Sequence, residues 1–329
     1  MSNNQLKVKD AVVAITYACN SRCRMCNIWK REGEKTGLSG RDFEQLPETL
    51  LSVNISGGEP FLHPDILAMI KNIQKRCPKA SIIISSNGFA TELILGQVEK
   101  ILKFFPTLGV AISLDGVGKA HNEVRGIPDG YAKVIKTIHG LKKMGVKNLK
   151  IGFTLGDYNT AELKRVYRVS QDLGLEFSLA IVHSSENYFG KENKVADKHK
   201  MIEALDWLIN KELSTWNLKR WARAYFAYGA KQFLKTGQRI LPDYSGETSV
   251  FVDPFGKIYP SDISTEIIGQ LNPFELSQKK EICAPSWMVC TARQAIKKHW
   301  FKTILWIVKN KLFNPIWHVF YVILCVRTK

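Results

Sequence analysis

The chain has 329 residues, of which 45% are hydrophobic, so it can bury a sizeable core and does not have the composition of a disordered protein. Its 47 Lys and Arg residues outnumber the 30 Asp and Glu residues, and the formal net charge of +17 predicts an acidic partner such as nucleic acid, anionic lipid or a charged substrate. The N-terminal sequence MSNNQLKVKD is polar and does not resemble a secretory signal. We therefore expect a cytoplasmic location, where clustered cysteines bind metals more often than they form disulfides.

Short apolar runs that are rich in β-branched residues alternate with amphipathic stretches from residue 11 to about 182. The runs predict strands at 11–17, 52–56, 81–85, 109–113, 148–155 and 175–182, and the stretches predict helices at 63–77, 91–105, 130–145 and 159–174. This alternation predicts an α/β fold with a parallel sheet, either a partly closed (β/α)6 barrel or an open doubly wound sheet. In both folds the chemistry takes place at the carboxyl ends of the strands.

The alternation ends near residue 195. Residues 197–236 have the pattern of two helices, and 249–260 that of a small β structure with a turn at Pro254, Phe255 and Gly256. We therefore divide the chain into a core at 1–190, a helical connector at 191–247, a small region at 248–292 and a basic aromatic tail at 293–329.

Three cysteines, Cys19, Cys23 and Cys26, follow the first predicted strand with the spacing C-x3-C-x2-C. Thiolates are soft ligands that suit zinc and iron–sulfur clusters. A structural zinc site usually has four protein ligands, but no fourth Cys or His lies within the 30 residues after Cys26. The spacing therefore favours a [4Fe–4S] cluster with one iron open to a small molecule, and leaves a zinc site or unligated thiols as the alternatives.

This cysteine motif resembles the signature of the radical S-adenosylmethionine (SAM) superfamily. The resemblance implies a partial (β/α)6 TIM-type barrel and two cofactors, a [4Fe–4S] cluster held by Cys19, Cys23 and Cys26 and a SAM molecule that chelates the open iron. It also implies the reaction: an electron from the cluster cleaves SAM, and the resulting 5′-deoxyadenosyl radical abstracts a hydrogen atom from a substrate. Met25 departs from the family, which often has an aromatic residue before the third cysteine.

A glycine-rich motif follows the second predicted strand. Gly57, Gly58, Glu59 and Pro60 resemble the family's GGEP motif, which binds the methionine amino group of SAM. Paired glycines let a ligand approach the backbone, and Glu59 supplies a carboxylate for an ammonium group.

Polar residues also end the third and fourth predicted strands. The resemblance places Asn87 near the nucleoside of SAM, and Ser113 and Arg125 on its ribose and its methionine carboxylate. A guanidinium suits a carboxylate because it can form two parallel hydrogen bonds with it. Asp115 and His121 either organise this loop or contact the substrate.

The later strands offer weaker candidates. Thr154 and His183 end the fifth and sixth predicted strands and face the place where a substrate would lie, although a lone histidine is usually structural. Cys77 lies late in a predicted helix and is expected in the core.

Residues 252–264 and 283–290 resemble parts of the SPASM or twitch domain that accompanies one branch of the family. Ser261 and Ser286 stand where that domain has cysteines, so only Cys283 and Cys290 remain. Two thiolates do not complete a [4Fe–4S] site, which usually has four ligands. We expect a degenerate region without metal, and an auxiliary cluster completed by Asp262 or by a distant residue is the alternative.

The tail at 293–329 combines basic residues with Trp, Phe and aliphatic residues. Its stretch at 316–326 is almost wholly apolar but too short to span a bilayer, which takes roughly 20 helical residues. The pattern favours peripheral contact with an anionic membrane surface, at the inner face of the membrane, and the alternative is a terminal helix packed on the domain. Nucleic acid is not expected as a partner, because the tail has no recognised binding motif.

The sequence therefore predicts a radical SAM enzyme with an unidentified substrate, which the tail indicates is a lipid or a lipid-linked molecule. The resemblance also implies a flavodoxin- or ferredoxin-type electron donor. Two alternatives stay open. One is a non-catalytic iron–sulfur electron carrier or scaffold, which would have no use for the glycine motif or Arg125. The other is a membrane-surface adaptor on an inactive barrel.

Overall fold

The computed structural model of the chain describes residues 8–31, 37–277 and 286–312. The expectations for Cys283 and for the apolar stretch at 316–326 lie outside these residues.

Six strands pair in sequence order, all of them in parallel. They are β1 (Asp10–Ala14), β2 (Ser52–Ser56), β3 (Ser81–Ser86), β4 (Gly109–Ser113), β5 (Asn148–Leu155) and β6 (Glu176–Ile181). Parallel neighbours need a crossover connection, and helices supply it here, as the alternating sequence pattern predicts. The predicted partial (β/α)6 barrel is confirmed.

The two faces of this sheet differ in polarity. Val13, Ile55, Ile84, Val110 and Leu149 lie side by side across five strands, and all of them are buried. Successive side chains of a strand point to opposite faces, so the residues between these positions lie on the other face. That face is half-buried and more polar, and it carries Asn54, Ser85, Ser113, Thr154 and Ser178.

The crossover helices cover the apolar face. They are α1 (Ile66–Arg76), α2 (Thr91–Leu102), α3 (Lys119–Arg125), α4 (Gly130–Lys143) and α5 (Glu162–Asp172). In α1 the buried residues Ile66, Met69, Ile70 and Ile73 recur every three to four positions, which makes one apolar stripe toward the core. The sequence does not predict α3, because seven residues are too few to show a helical period. Gly126, in the left-handed conformation, ends α3.

The C-terminal part of the chain continues the same sheet. After α6 (Lys198–Leu213) and α7 (Leu218–Thr236), strand β7 (Ser249–Val252) pairs in parallel with β1. The short antiparallel strands that follow extend the sheet further, as β8 (Lys257–Tyr259), β9 (Gly269–Gln270) and β10 (Glu275–Leu276). The sheet therefore runs without interruption across the predicted boundary at residue 248.

Two basic helices, α8 (Val289–Lys298) and α9 (Trp300–Leu312), pack against α7. The indole N–H of Trp287, just before α8, donates to the carbonyl of Phe226 (2.9 Å). Trp306 of α9 stacks on Tyr228 of α7, with ring centroids 4.7 Å apart. None of the helices in the described part of the chain is long and apolar enough to cross a bilayer.

Two helical glycines give a matched test of this packing. A Cβ at Gly229 in α7 would lie 2.2 Å from Cζ2 of the buried Trp287, whereas a Cβ at Gly96 in α2 would meet nothing within 4 Å. We expect Gly229→Ala to lower the free energy of unfolding by about 1–3 kcal/mol, because the indole has to move. Gly96→Ala should raise it by about 0.5–1 kcal/mol, because alanine is the better helix former. Urea denaturation measures both values, and similar changes in the two variants would contradict the described contact.

Candidate active site

The cysteine loop, residues 15–27, begins where β1 ends and has little regular structure. Buried irregular backbone needs hydrogen-bond partners from elsewhere in the chain. On one side the turn after β2 supplies them: the N–H of Gly58 donates to the carbonyl of Thr16 (2.7 Å), and the N–H of Glu59 donates to the carbonyl of Ala18 (2.8 Å).

The two glycines of this turn are needed for the close approach. A Cβ at Gly58 would lie 2.2 Å from the carbonyl oxygen of Ala18. At Gly57 a Cβ would lie 2.5 Å from the carbonyl oxygen of Thr16, and its φ of +134° also favours glycine. The sequence predicts that these glycines let a ligand approach the backbone. In this structure the backbone of the cysteine loop makes that close approach.

The end of α3 holds the loop from another side. The carbonyl of Arg125 accepts from the N–H of Arg22 and from Oγ of Ser21, both at 3.0 Å. A Cβ at Gly126 would lie 2.4 Å from the carbonyl oxygen of Arg22, and the φ of this glycine is +64°.

A segment after β6 closes the third side of the cysteine loop, and no sequence motif predicted it. The N–H of Asn27 donates to the carbonyl of Phe189 (2.9 Å), and Nδ2 of Asn193 lies 2.9 Å from the carbonyl oxygen of Met25. Tyr188 is buried and donates its hydroxyl to the carbonyl of Gly57 (3.1 Å). The segment has neither a periodic pattern nor a motif, so only the tertiary structure identifies these residues.

The three thiols have polar donors around them. Sγ of Cys23 lies 3.0 Å from Oγ of Ser21 and 3.6 Å from Nη1 of Arg125, and the N–H of Ile28 points at Sγ of Cys26 (3.4 Å). Burial raises the pKa of Cys19 to about 12 and that of Cys26 to about 11. A metal would therefore displace protons when it binds, as thiolate ligands require.

The chemistry of the donors around the thiols indicates which metal group they suit. In the described part of the chain, no three Cys, His, Asp or Glu side chains lie close enough together to hold a single metal ion. The donor set of three cysteine sulfurs, with N–H and hydroxyl donors beside them, fits an iron–sulfur cluster better than it fits zinc.

Glu59 is completely buried between the ends of β2 and β3. Its carboxylate accepts from the N–H of Phe61 (3.2 Å), from Oγ of Ser86 (2.9 Å) and from the N–H of Asn87 (2.7 Å). Burial raises its pKa to about 7 in spite of these donors. Asn87 continues the connection, since its Nδ2 donates to Oδ1 of Asn20 in the cysteine loop (2.7 Å).

Arg125 and Asp115 form a buried ion pair. Nη2 of Arg125 lies 2.6 Å from Oδ2 of Asp115, and the side chains are 10% and 0% exposed. Burial alone would lower the pKa of Arg125, but the facing Asp115 carboxylate raises it, so the guanidinium stays charged. The sequence predicts a carboxylate of SAM as the partner of Arg125, and the structure adds Asp115. The Nε–H of Arg125 is buried and has no hydrogen-bond acceptor among the described residues.

The loop after β4 is organised by Asp115 and His121. Oδ1 of Asp115 accepts from the N–H of Thr154 (2.7 Å), and the N–H of Asp115 donates to Nδ1 of His121 (3.1 Å). Burial, with the nearby Arg125 charge, lowers the pKa of His121 to about 3, so its ring is neutral. Of the two roles open from the sequence, the structure shows the organising one for both residues. Ser113 ends β4 on the half-buried polar face.

His183, at the end of β6, meets Asp262 from the C-terminal region. Its Nε2 lies 3.2 Å from Oδ2 of Asp262, and its Nδ1 lies 3.1 Å from the carbonyl oxygen of Ile181. Both partners are hydrogen-bond acceptors, so the contacts favour the ring with protons on both nitrogens, which is positively charged. Burial alone would lower the pKa of His183, but Asp262 outweighs it and the pKa is raised.

Two further cysteines, Cys77 and Cys290, lie in the described part of the chain. Cys77 is buried, as predicted, and its thiol donates to the carbonyl of Pro47 (3.4 Å). Ser261, Asp262 and Cys290 line one cavity of about 30 Å³, which has room for one or two water molecules.

Comparison with known sequences points to one family. Residues 13–169 match the radical SAM superfamily. A probable GTP 3′,8-cyclase of Metallosphaera sedula is 31% identical over 179 residues, which are 51% of this chain and 54% of the relative. A pre-heme d1 synthase of Dinoroseobacter shibae is 27% identical over 213 residues, which are 61% of this chain and 50% of the relative. The chain thus spans about half the length of these curated relatives.

Solved structures share the fold. Streptococcus suis SuiB bound to S-adenosylmethionine superposes with a TM-score of 0.59 at 18% identity, covering 77% of this chain and 60% of SuiB. An anSMEcpe structure with bound AdoMet and a Cp18Cys peptide also gives a TM-score of 0.59, at 14% identity, covering 91% of this chain and 98% of that protein. At this identity the likeness shows the fold alone.

The buried ion pair predicts a large difference between two acidic substitutions. We expect Asp115→Asn to lower the free energy of unfolding by about 3–5 kcal/mol, because it leaves the buried charge of Arg125 without its partner. Glu92→Gln breaks an exposed pair with Lys136 and should cost less than about 1 kcal/mol. Denaturant unfolding of both variants at neutral pH checks this, and a small effect of Asp115→Asn would mean that the pair is not buried.

The His183–Asp262 pair predicts a pH dependence. A group whose pKa is raised in the folded state contributes its full stabilisation at pH values below its pKa in the unfolded chain. This contribution is lost as the pH rises through the folded-state pKa. The loss in free energy of unfolding caused by His183→Gln should therefore shrink as the pH rises from below the ordinary histidine pKa of about 6.5 through the raised folded-state pKa. In an Asp262→Asn background the same substitution should show little pH dependence. A penalty that stays constant in the wild-type background would contradict the charged ring.

Proposed function

We propose that this chain is an enzyme that cleaves SAM reductively at a [4Fe–4S] cluster, since residues 13–169 match the radical SAM superfamily. The observation that carries the proposal is the cysteine loop, in which Cys19, Cys23 and Cys26 are held at the carboxyl ends of the parallel strands. When bound, the cluster would supply one electron to SAM, which yields methionine and a 5′-deoxyadenosyl radical that takes a hydrogen atom from a substrate.

The residues around the thiols suit negatively charged ligands. The donors from Ser21, Ile28 and Arg125 would stabilise thiolate sulfurs once the protons have left. Three thiolates would ligate three of the four irons of a [4Fe–4S] cluster, and the fourth iron would then be open to SAM.

The charged residues beside the loop suit the two ends of an amino acid. Near neutral pH the buried Glu59 is only partly ionised, because its pKa is raised to about 7, and an adjacent ammonium group would favour the ionised form. Arg125 can hold Asp115 and still offer its unused Nε–H to a second carboxylate. We assign the methionine part of SAM to these two residues.

The remaining predicted contacts complete this binding site. Gly57, Gly58 and Pro60 form the turn that carries Glu59. Ser113 lies on the polar face of the sheet, and Asn87 is tied to the cysteine loop. We assign the nucleoside part of SAM to Ser113 and Asn87.

An acidic electron donor of the flavodoxin or ferredoxin type suits the exposed rim of the cysteine loop. Arg22, Arg24 and Lys30 are exposed there. The guanidinium of Arg22 lies 4.8 Å from the ring of Trp29, and that of Arg24 lies 4.7 Å from the ring of Tyr158. An aromatic face positions a cation without neutralising its charge, so the rim keeps a positive potential.

The substrate that we propose is a lipid or a lipid-linked molecule. The names of the two relatives refer to different reactions, so they do not favour one substrate for this chain. The support comes from α9, on which Phe301 and Leu305 are exposed and would keep the enzyme at an anionic membrane surface.

Anaerobic reconstitution tests the proposed chemistry, with a matched pair of cysteine variants. Wild-type protein, reduced with dithionite in the presence of SAM, should bind iron and sulfide and form 5′-deoxyadenosine. Removal of a residue that only contacts a metal ligand costs about 10- to 100-fold in metal affinity or activity. Cys23→Ala removes a ligand itself, so its losses of cluster content and of product should be larger. Cys77→Ala, which removes a buried thiol outside the loop, should keep both.

Two outcomes would contradict the proposal. If Cys23→Ala retains cluster and product, the loop is not the site. If cluster-loaded wild-type protein forms no 5′-deoxyadenosine with any candidate substrate, the chain is an iron–sulfur carrier or scaffold instead.

A further inference from the structure

Helix α9 has two apolar faces. The inner face packs on the protein through Thr303, Trp306 and Ile307, and Trp306 stacks on Tyr228 of α7. The outer face carries five large apolar side chains that are 46–61% exposed, namely Trp300, Phe301, Ile304, Leu305 and Val308. A surface helix normally has one apolar stripe that faces the core, so the outer stripe needs a second apolar partner.

The outer stripe carries a large share of the exposed apolar side chains. Of the 12 large apolar side chains that are exposed in the described part of the chain, five lie on it. Trp216 and Leu218, which are 80% and 75% exposed, extend the same surface past the end of α9. Nζ of Lys311, in the last turn of α9, lies 4.2 Å from the ring centroid of Trp216, so Trp216 is in contact with α9. Single exposed apolar residues are ordinary, but a contiguous patch marks a binding surface.

The charged residues of α8 and α9 are all positive. Lys302 and Lys309 are exposed on α9, and Lys297 and Lys298 are exposed in the last turn of α8. The sequence from residue 282 to residue 329 contains eight Lys and Arg and neither Asp nor Glu. An apolar stripe with a basic border and a Trp at its end is typical of a helix that binds an anionic membrane surface. A groove on a partner protein, whether acidic or neutral and apolar, fits this combination less well.

We propose that the outer stripe of α9, together with Trp216 and Leu218, docks onto an anionic membrane surface. Thirteen residues make a helix about 20 Å long, so α9 lies in the plane of the interface and does not cross the bilayer. Its apolar side chains enter the boundary between headgroups and acyl chains, and the lysines meet the lipid phosphates. This docking does not depend on the proposed radical chemistry.

Vesicle co-sedimentation of the full-length chain tests the proposal. We compare vesicles of phosphatidylcholine alone with vesicles that contain about 30% phosphatidylglycerol, without SAM or reductant, so the outcome is separate from the test of catalysis. The wild-type chain should bind the anionic vesicles at least about tenfold more tightly, and added salt should weaken the binding.

Two double variants separate the contributions of the stripe and the lysines. Phe301→Asp with Leu305→Asp should lower binding to anionic vesicles about tenfold or more. Lys302→Glu with Lys309→Glu should lower binding to the anionic vesicles by a similar factor and leave binding to neutral vesicles unchanged. Leu93→Asp, at an exposed apolar position of α2, is the control and should bind like the wild type. The circular dichroism spectrum and melting temperature check that the variants are folded.

Three results would overturn the proposal. One is equal binding to both kinds of vesicle, or binding that the double variants leave unchanged. Another is a wild-type dimer that Phe301→Asp with Leu305→Asp converts to a monomer without any vesicle binding, since a second copy would then cover the stripe. The third is vesicle binding only by a chain that ends at residue 312, since residues 313–329 would then cover it.

Discussion

The ion pair between Arg125 and Asp115 joins the end of β4 to the cysteine loop, and the geometry of the candidate site depends on it. The guanidinium of Arg125 binds the Asp115 carboxylate at 2.6 Å and lies beside Sγ of Cys23. The backbone carbonyl of Arg125 accepts hydrogen bonds from Arg22 and Ser21. Because the pair is buried, its formation has a high cost of desolvation. Hydrogen bonds from neighbouring residues hold it in one geometry. An irregular loop thus obtains a defined shape from a neighbouring strand end.

Glu59 has the corresponding role on the other side of the loop. It connects the ends of β2 and β3, and Asn87 extends the connection to Asn20. The loop therefore lies between a buried carboxylate and a buried guanidinium. Preorganised charges of this kind can bind a zwitterionic ligand without further rearrangement. The partly ionised Glu59 and the unused Nε–H of Arg125 are the two features that most suggest such a ligand.

Local sequence patterns predicted the six parallel strands well, because each strand is a short run of β-branched residues that is buried on one face. The same patterns placed the cysteines, Glu59 and Asn87 after strand ends, whereas Arg125 was predicted only from the family resemblance and lies at the end of α3. They did not reveal that Gly57 and Gly58 admit the cysteine loop, or that Asp115 is the partner of Arg125. Nor did they indicate the His183–Asp262 pair, whose members are separated by 79 positions. These contacts arise when distant segments meet, and they have no local periodicity.

The electron paramagnetic resonance spectrum of the reduced, cluster-loaded protein tests the central claim most directly, namely that three cysteines hold a cluster whose fourth iron is open to SAM. Spectra recorded with and without SAM report on the ligands of the cluster itself and do not require a substrate. The account predicts that SAM changes the g values, because its amino and carboxylate groups bind the open iron. Identical spectra at saturating SAM would contradict it.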